Sequence, residues 1–135
     1  MLVRLGDRCF MMMFGASLVT LTWLKPTLES IAPLLKLKAG WDSYDGQPID
    51  TRVVKTAIEV LFDVMECDSP VPSFVPTSNG GIQLEWHRGG IDLEVVISPD
   101  GQVIFDFESS AGEEIEGNYF EQPGRLAELT KRLPR

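Results

Sequence analysis

The chain has 135 residues, 44% of them hydrophobic, and its 20 acidic and 12 basic residues give a formal net charge of -8. This length and apolar content suit one domain with its own core, and exclude collagen, coiled coils and intrinsic disorder. Because so acidic a surface repels phosphate backbones, we expect no direct nucleic-acid binding, and a basic protein or metal cations as the favoured partners.

The first 26 residues form an apolar N-terminal segment, which we separate from a single domain at residues 27–135. Residues 9–24 carry no charge. This run is shorter than the ~20 apolar residues of a membrane-spanning helix, so membrane insertion is not expected. Arg4 and Arg8 before the run resemble the start of a signal peptide, although no clear cleavage site follows.

Other interpretations of this segment stay open. Val19, Leu21 and Trp23 alternate with threonines, which is typical of a strand. The segment could instead be helical, or an extension that precedes a native start within Met11–Met13. We expect the N-terminal segment to pack on the core. We also expect a cytoplasmic protein, because its two cysteines have the spacing of neither a zinc site nor a disulfide framework.

Three helices are predicted in the domain. The first spans about Thr27 to Lys38, with Pro33 as an interior interruption. The second begins after Asp50, whose side chain can accept hydrogen bonds from the first turn, and ends near Cys67. Its predicted apolar stripe comprises Val54, Ala57, Ile58, Leu61, Phe62 and Met65. The last helix spans Pro123 to Leu133, and its predicted inward residues are Leu126, Leu129 and Leu133.

The loop between the first two helices, Gly40 to Pro48, carries the aromatic pair Trp41 and Tyr44. Its glycine, aspartate and proline content is typical of turns, and its two aspartates lack the spacing of a calcium loop. We expect Trp41 and Tyr44 to anchor the loop against the core. An exposed pair would instead indicate a recognition surface.

From residue 73 onward, apolar and polar residues alternate with a period of two, which predicts strands joined by glycine-containing turns. The predicted strands are Ser73 to Thr77, Ile82 to Trp86, Ile91 to Ile97, Gln102 to Glu108 and Glu113 to Phe120. The first is assigned to a sheet edge because Pro76 cannot donate to a central ladder. The fold class is therefore α+β: an antiparallel three- to five-stranded meander covered on one face by helices.

Turn lengths predict which residues face each other across this sheet. A two-residue turn at Arg88-Gly89 would place Glu85 opposite Asp92, and the turn at 98–102 would place Glu94 opposite Asp106. One face is then apolar. The other face gathers five carboxylates in two adjacent rows: Glu85, Asp92, Glu94, Asp106 and Glu108.

Three interpretations fit these rows of carboxylates: a solvated surface that discourages aggregation, a docking face for a basic partner, or a divalent-cation site. Like charges directly opposite each other destabilise a strand pair, so the arrangement has a cost in stability. His87, the single histidine, is assigned to an exposed hairpin tip that is poorly placed for catalysis. No catalytic residue and no cofactor are predicted.

Two motifs resemble a family of small, uncharacterised bacterial proteins. They are a Gly-Trp-Asp-x-Tyr loop at residues 40–44, followed by Pro48-Ile49 and an amphipathic helix, and an Ile-x-Leu-Glu-Trp strand at residues 82–86. The resemblance covers about residues 27–108 and implies a shared fold and a bacterial or phage origin. It implies no activity, and the apolar leader before Trp23 departs from the family pattern.

The predicted function is that of a small protein-interaction module, which docks a basic partner on the acidic sheet face or on the Trp41/Tyr44 loop. By analogy, its size and charge suit an antitoxin-like or defence-associated accessory protein. The alternative is a carboxylate-rich enzyme or binding protein that uses a divalent metal. A weaker third interpretation is a membrane-associated protein held by residues 9–24.

Overall fold

The structure, a computed structural model, describes the backbone of residues 2–5 and 8–11 and the whole of residues 21–135. The helices in these residues are α1 (Leu24–Leu34), α2 (Thr51–Val64) and α3 (Arg125–Lys131). The strands are β1 (Leu2–Leu5), β2 (Arg8–Met11), β3 (Ser73–Pro76), β4 (Ile82–Arg88), β5 (Ile91–Ile97), β6 (Val103–Ser109) and β7 (Glu114–Asn118).

Strands β3 to β7 form one open antiparallel sheet in chain order, which confirms the α+β meander with five strands. The ends of these strands lie within two residues of the predicted ones. Strands β1 and β2 pair with each other in a separate two-stranded sheet. Of the alternating stretch at 19–23, the first two residues lie outside the described part, and residues 21–23 belong to no strand.

Helix α2 begins where the sequence predicted. The Oδ1 atom of Asp50 accepts a hydrogen bond from the backbone N–H of Arg52 at 2.9 Å, so this carboxylate satisfies a free donor of the first turn. The buried face of the helix is rotated relative to the predicted stripe: Phe62, which was predicted to lie in the stripe, is exposed. Its buried residues are Val53, Ala57, Val60, Leu61 and Val64.

The other two helices differ from the prediction at their ends. Helix α1 spans Leu24–Leu34 rather than about Thr27 to Lys38, and Pro33 lies inside it near its C-terminal end. Helix α3 begins only at Arg125, because Gly124 has a left-handed φ of 83° that a right-handed helix does not contain. The three leucines predicted to face inward at this end of the chain are all buried: Leu126, Leu129 and Leu133.

The turn between β4 and β5 differs from the predicted one. Arg88 pairs with Ile91, so the two central residues are Gly89 and Gly90 rather than Arg88 and Gly89. Their φ angles are 55° and 77°, and a two-residue hairpin of this kind requires positive φ at both positions, which glycine adopts without strain. The predicted register of this hairpin was therefore wrong by two residues. The β5–β6 register is as predicted.

One core joins the inward residues of the sheet with buried residues of α2 and α3. Helix α2 contacts β4 and β5, and helix α1 contacts β3. Trp86 is almost wholly buried, and its Nε1 donates to the carbonyl of Pro70 at 2.8 Å, so its polar atom is satisfied inside the core. Leu21 and Trp23, which belong to the segment at residues 1–26, are part of the same core.

Within the described residues, none of the helices combines the length and the apolar character that crossing a bilayer requires. Cys67 is disulfide-bonded, which the spacing of the two cysteines in the sequence did not indicate. Cytoplasmic localisation stays a prediction.

Candidate functional site

The outward face of the five-stranded sheet carries the carboxylates predicted to form a site. In an antiparallel ladder, paired residues have their side chains on the same side, so the pairing defines rows across the strands. Seven carboxylates lie on this side, and we call them the acidic face: Glu85, Asp92, Glu94, Asp106, Glu108, Glu114 and Glu116. Their side chains are exposed or half-buried.

The acidic face consists of two adjacent rows. The first row contains His87, Asp92, Glu108 and Glu114, and the second contains Ser73, Glu85, Glu94, Asp106 and Glu116. Asp106 thus has a carboxylate directly opposite on both neighbouring strands. A third row next to the second is largely apolar: Val75, Gln83, Val96, Ile104 and Asn118.

The structure brings all five predicted carboxylates together, but with different neighbours in one hairpin. Glu85 lies opposite Glu94 rather than Asp92, and Gln83 lies opposite Val96 rather than Glu94. Because side chains alternate with a period of two, a register error of two residues keeps every side chain on its face. The error changed the pairs and left the face intact.

Glu114 and Glu116 were missed as members of this face. The alternation predicts a strand at 113–120, but strand periodicity alone does not set its register against the preceding strand. The missing signal is the turn at Gly112, which has a φ of 87° and places Glu114 opposite Glu108. A turn assignment at this glycine would have added both carboxylates to the rows.

His87 was also missed, because the turn lies one residue further along the chain than predicted. Its Nδ1 lies 2.6 Å from Oδ1 of Asp92, and its Nε2 lies 3.4 Å from Oε2 of Glu85. The hydrogen bond to Asp92, and then the one to Glu85, raise the pKa of His87 above its ordinary value of 6.5. The imidazole is thus a titratable cation within the first row.

Within the described residues, His87 is the one basic group that forms an ion pair with the acidic face. The ion pairs of the described arginines and lysines lie elsewhere, as between Arg132 and Glu113 at 2.6 Å and between Arg135 and Glu66 at 2.6 Å. Glu85 also accepts a hydrogen bond at Oε1 from Nε2 of Gln83, at 2.7 Å. Most of the negative charge on this face is therefore left to solvent.

The face contains a depression of about 200 Å³, lined by His87, Asp92, Glu94, Asp106 and Glu108. Throughout the described part of the chain, no three histidine, cysteine or acidic side chains are grouped so that they could hold a metal ion. The spacing of side chains on a flat sheet explains this, because a cation needs ligands that converge on one point from several directions.

The loop with Trp41 and Tyr44 lies at the other end of the sheet from His87. It is attached there by backbone hydrogen bonds from Gln47 to Ser78, at 2.8 Å, and from Asp50 to Gly80, at 3.0 Å. The structure therefore does not join this aromatic pair to the carboxylates that line the depression.

The two aromatic residues of this loop differ from each other. Trp41 is half-buried, and its Nε1 donates to the carbonyl of Gln47 at 2.8 Å, so it ties the loop to itself. Tyr44 is 84% exposed and does not anchor the loop against the core. The Oδ1 atom of Asp42 accepts from the N–H groups of Tyr44 and Gly46, which confirms the turn-forming role of this aspartate.

Comparison with known proteins found no matching family model, no similar curated protein and no similar solved structure. The resemblance carried by the Gly-Trp-Asp-x-Tyr and Ile-x-Leu-Glu-Trp motifs therefore stays a prediction.

Proposed function

We propose that the protein is an interaction module that docks a basic partner protein on its acidic face. The observation that carries this proposal is the pair of adjacent carboxylate rows, which lie on an exposed sheet face where His87 is the one counter-charge among the described residues. Like charges opposite one another each cost up to about 1 kcal/mol. A partner with lysine or arginine side chains would remove this repulsion on binding, which gives it an advantage over a neutral partner.

The third row specifies the partner further. Val75 and Ile104 are exposed apolar side chains immediately beside the second carboxylate row. A partner that combines basic residues with a few apolar ones would match both surfaces, since interfaces typically pair an apolar centre with a polar rim. Charge complementarity would increase the association rate and select the partner.

The competing interpretations have less support. A solvated face that only discourages aggregation accounts for the charge but not for the exposed apolar row beside it. A metal-dependent activity needs converging ligands, and the described residues contain no such group. An antitoxin-like or defence-associated role is one form of this proposal, and the identity of the partner would test it.

The test is recovery of a partner from lysate of the native host by the tagged full chain, at low and high salt, with a double charge reversal. Glu94→Lys with Asp106→Lys places two positive charges in the middle of the second row. The matched control is Glu29→Lys with Glu59→Lys, which changes the net charge equally at exposed positions on α1 and α2.

We expect the wild type and the control to recover a basic protein at low salt. The Glu94→Lys/Asp106→Lys variant should recover at least about tenfold less of it. Raising the salt should weaken recovery by the wild type, because exposed charges are screened. Equal recovery by both double variants would contradict the proposal, because the position of the reversed charges would then have no effect on binding.

A further inference from the structure

The two edges of the five-stranded sheet differ in the backbone groups that they expose. At the β3 edge, the N–H of Thr77 donates to the carbonyl of Gly81 at 3.1 Å, which fixes the alternation of bonded residues. Phe74 and Pro76 therefore direct their backbones away from β4. Pro76 has no N–H to offer, and α1 contacts this strand. Both features protect the edge from further pairing.

At the β7 edge, the alternation is fixed from both ends of the ladder. The N–H of Ser109 donates to the carbonyl of Glu113 at 3.0 Å, and the N–H of Tyr119 donates to the carbonyl of Val103 at 2.9 Å. In an antiparallel ladder every second residue bonds its neighbour strand, so Ile115 and Gly117 bond β6. The backbones of Glu114, Glu116 and Asn118 face away from the sheet.

Gln122 closes one of these three outward positions. Its side-chain Oε1 accepts from the N–H of Asn118 at 3.0 Å, and its own N–H donates to the carbonyl of Asn118 at 3.0 Å. Glu114 and Glu116 have no such partner for their N–H and C=O groups among the residues that the structure describes. Two donors and two acceptors thus lie in a row at an open edge, and their side chains belong to the acidic face.

We propose that the basic partner binds by adding an extended segment to β7 as a sixth strand. This inference rests on the proposed function and specifies how the partner binds. Alternate residues of an added strand lie on the same side as Glu114 and Glu116, so basic residues at those positions would continue both carboxylate rows with opposite charge. The backbone groups supply affinity, and the alternating basic residues supply specificity.

The charge on β7 also disfavours a second copy of this chain as the occupant. Antiparallel pairing of two β7 edges would place Glu114 of one copy beside Glu116 of the other, and would join two acidic faces into one sheet. Like charges at directly opposed positions destabilise a strand pair. A basic strand meets the same edge with attraction.

The test uses two short synthetic peptides of the same charge, measured against the full chain by isothermal titration calorimetry at low salt. The first alternates lysine and valine. The second has the same sequence with N-methyl groups on the backbone nitrogens of the lysines, so that it keeps its charges but loses the N–H groups that would face β7 in antiparallel pairing. We expect the unmethylated peptide to bind at least about tenfold more tightly, because the methylated peptide loses more than one net backbone hydrogen bond.

Variants of Glu116 locate the site on the protein. Glu116→Pro removes the outward N–H and the carboxylate, whereas Glu116→Gln removes only the charge. Proline is tolerated here because this N–H faces away from β6. We expect Glu116→Pro to bind the unmethylated peptide about tenfold more weakly than Glu116→Gln does. Thermal unfolding of both variants would show whether β7 has kept its place, and the peptide pair gives a result that needs no variant.

The outcomes separate this inference from the proposed function. Equal binding of both peptides, weakened by Glu94→Lys/Asp106→Lys, would overturn strand addition while leaving a basic docking face. Binding of neither peptide would overturn strand addition, and the proposed function would then depend on the lysate experiment. Preferential binding of the unmethylated peptide, lost in Glu116→Pro, would support both.

Discussion

The two faces of the same sheet follow opposite physical rules. The buried inward residues of β4, β5 and β6 are all apolar, so each contributes favourable transfer free energy. Outward residues of the same strands place carboxylates opposite carboxylates, which lowers stability. The sheet needs only its inward residues to be apolar, so its fold does not require carboxylates to face each other on the outward side. A surface that costs stability is where we expect function.

The largest expected effect comes from comparing two successive residues of β6. Phe105 is 1% exposed in the core, whereas Ile104 is 46% exposed in the third row. We expect Phe105→Ala to lower the free energy of unfolding by about 3–5 kcal/mol and Ile104→Ala by about 1 kcal/mol or less. Urea denaturation of both variants measures the difference.

This pair of variants could also break the contrast between the faces. Equal losses would mean that the outward apolar row is as important for folding as the core, and it would then be a poor candidate for a docking surface. If Ile104→Ala weakens partner binding while leaving stability nearly unchanged, the contrast is sharpened, because the side chain then serves recognition rather than folding.

A smaller effect of the opposite sign is expected on the acidic face. Asp106 lies between Glu94 and Glu116, so Asp106→Asn removes repulsion on two sides with almost no change in shape. We expect the free energy of unfolding to rise by about 0.2–1 kcal/mol at low salt. The gain should shrink as salt screens the charges. The same substitution should weaken binding of a basic partner.

Glu59→Gln is the matched control for Asp106→Asn, because Glu59 is exposed on α2 with Lys55 as its neighbour at 3.9 Å. Its effect should be slightly destabilising or absent. If Asp106→Asn fails to stabilise the protein at any salt concentration, the carboxylates are too well solvated to repel each other. The proposed relief of repulsion by a partner would then have no basis.

The fold was largely predictable because its signals are local. Period-two alternation fixed the strands and their faces, and Asp50 fixed the start of α2. The prediction of the β4–β5 turn was wrong because two consecutive glycines allow two alignments of the hairpin. Only the requirement for positive φ at both central residues selects Gly89-Gly90. The prediction of which face of α2 is buried was partly wrong, because apolar residues cover more than half of the helix surface. Tertiary packing decides which of them are buried.

The sequence predicted most of the carboxylates that share the candidate site, but not the hydrogen bonds of His87 or the open edge of β7. All five predicted carboxylates share the outward face, since a two-residue register error preserves the face. The hydrogen bonds of His87 depend on pairs across the strands, so the register error concealed them. The open edge of β7 depends on whether Gln122 or another residue closes it, and nothing in strand periodicity carries that information.

The smallest expected effect concerns His87, the one counter-charge of the acidic face in the described structure. Its pKa in the folded state is raised by Asp92 and then by Glu85, relative to the ordinary 6.5. A raised folded pKa means that protonation of His87 favours the folded state. This contribution is complete below about pH 6.5 and is lost as the pH rises through the folded pKa.

We therefore expect His87→Gln to be less stable than the wild type below pH 6.5, with a difference that vanishes at higher pH. Urea denaturation of both proteins across this pH range measures it. Asp92→Asn should reduce the pH dependence of the wild type more than Glu85→Gln does, because the bond to Asp92 is the larger cause of the shift. A difference that does not change with pH would show that the imidazole contributes through packing alone. The acidic face would then lack any internal counter-charge, and a basic partner would have to provide all of it.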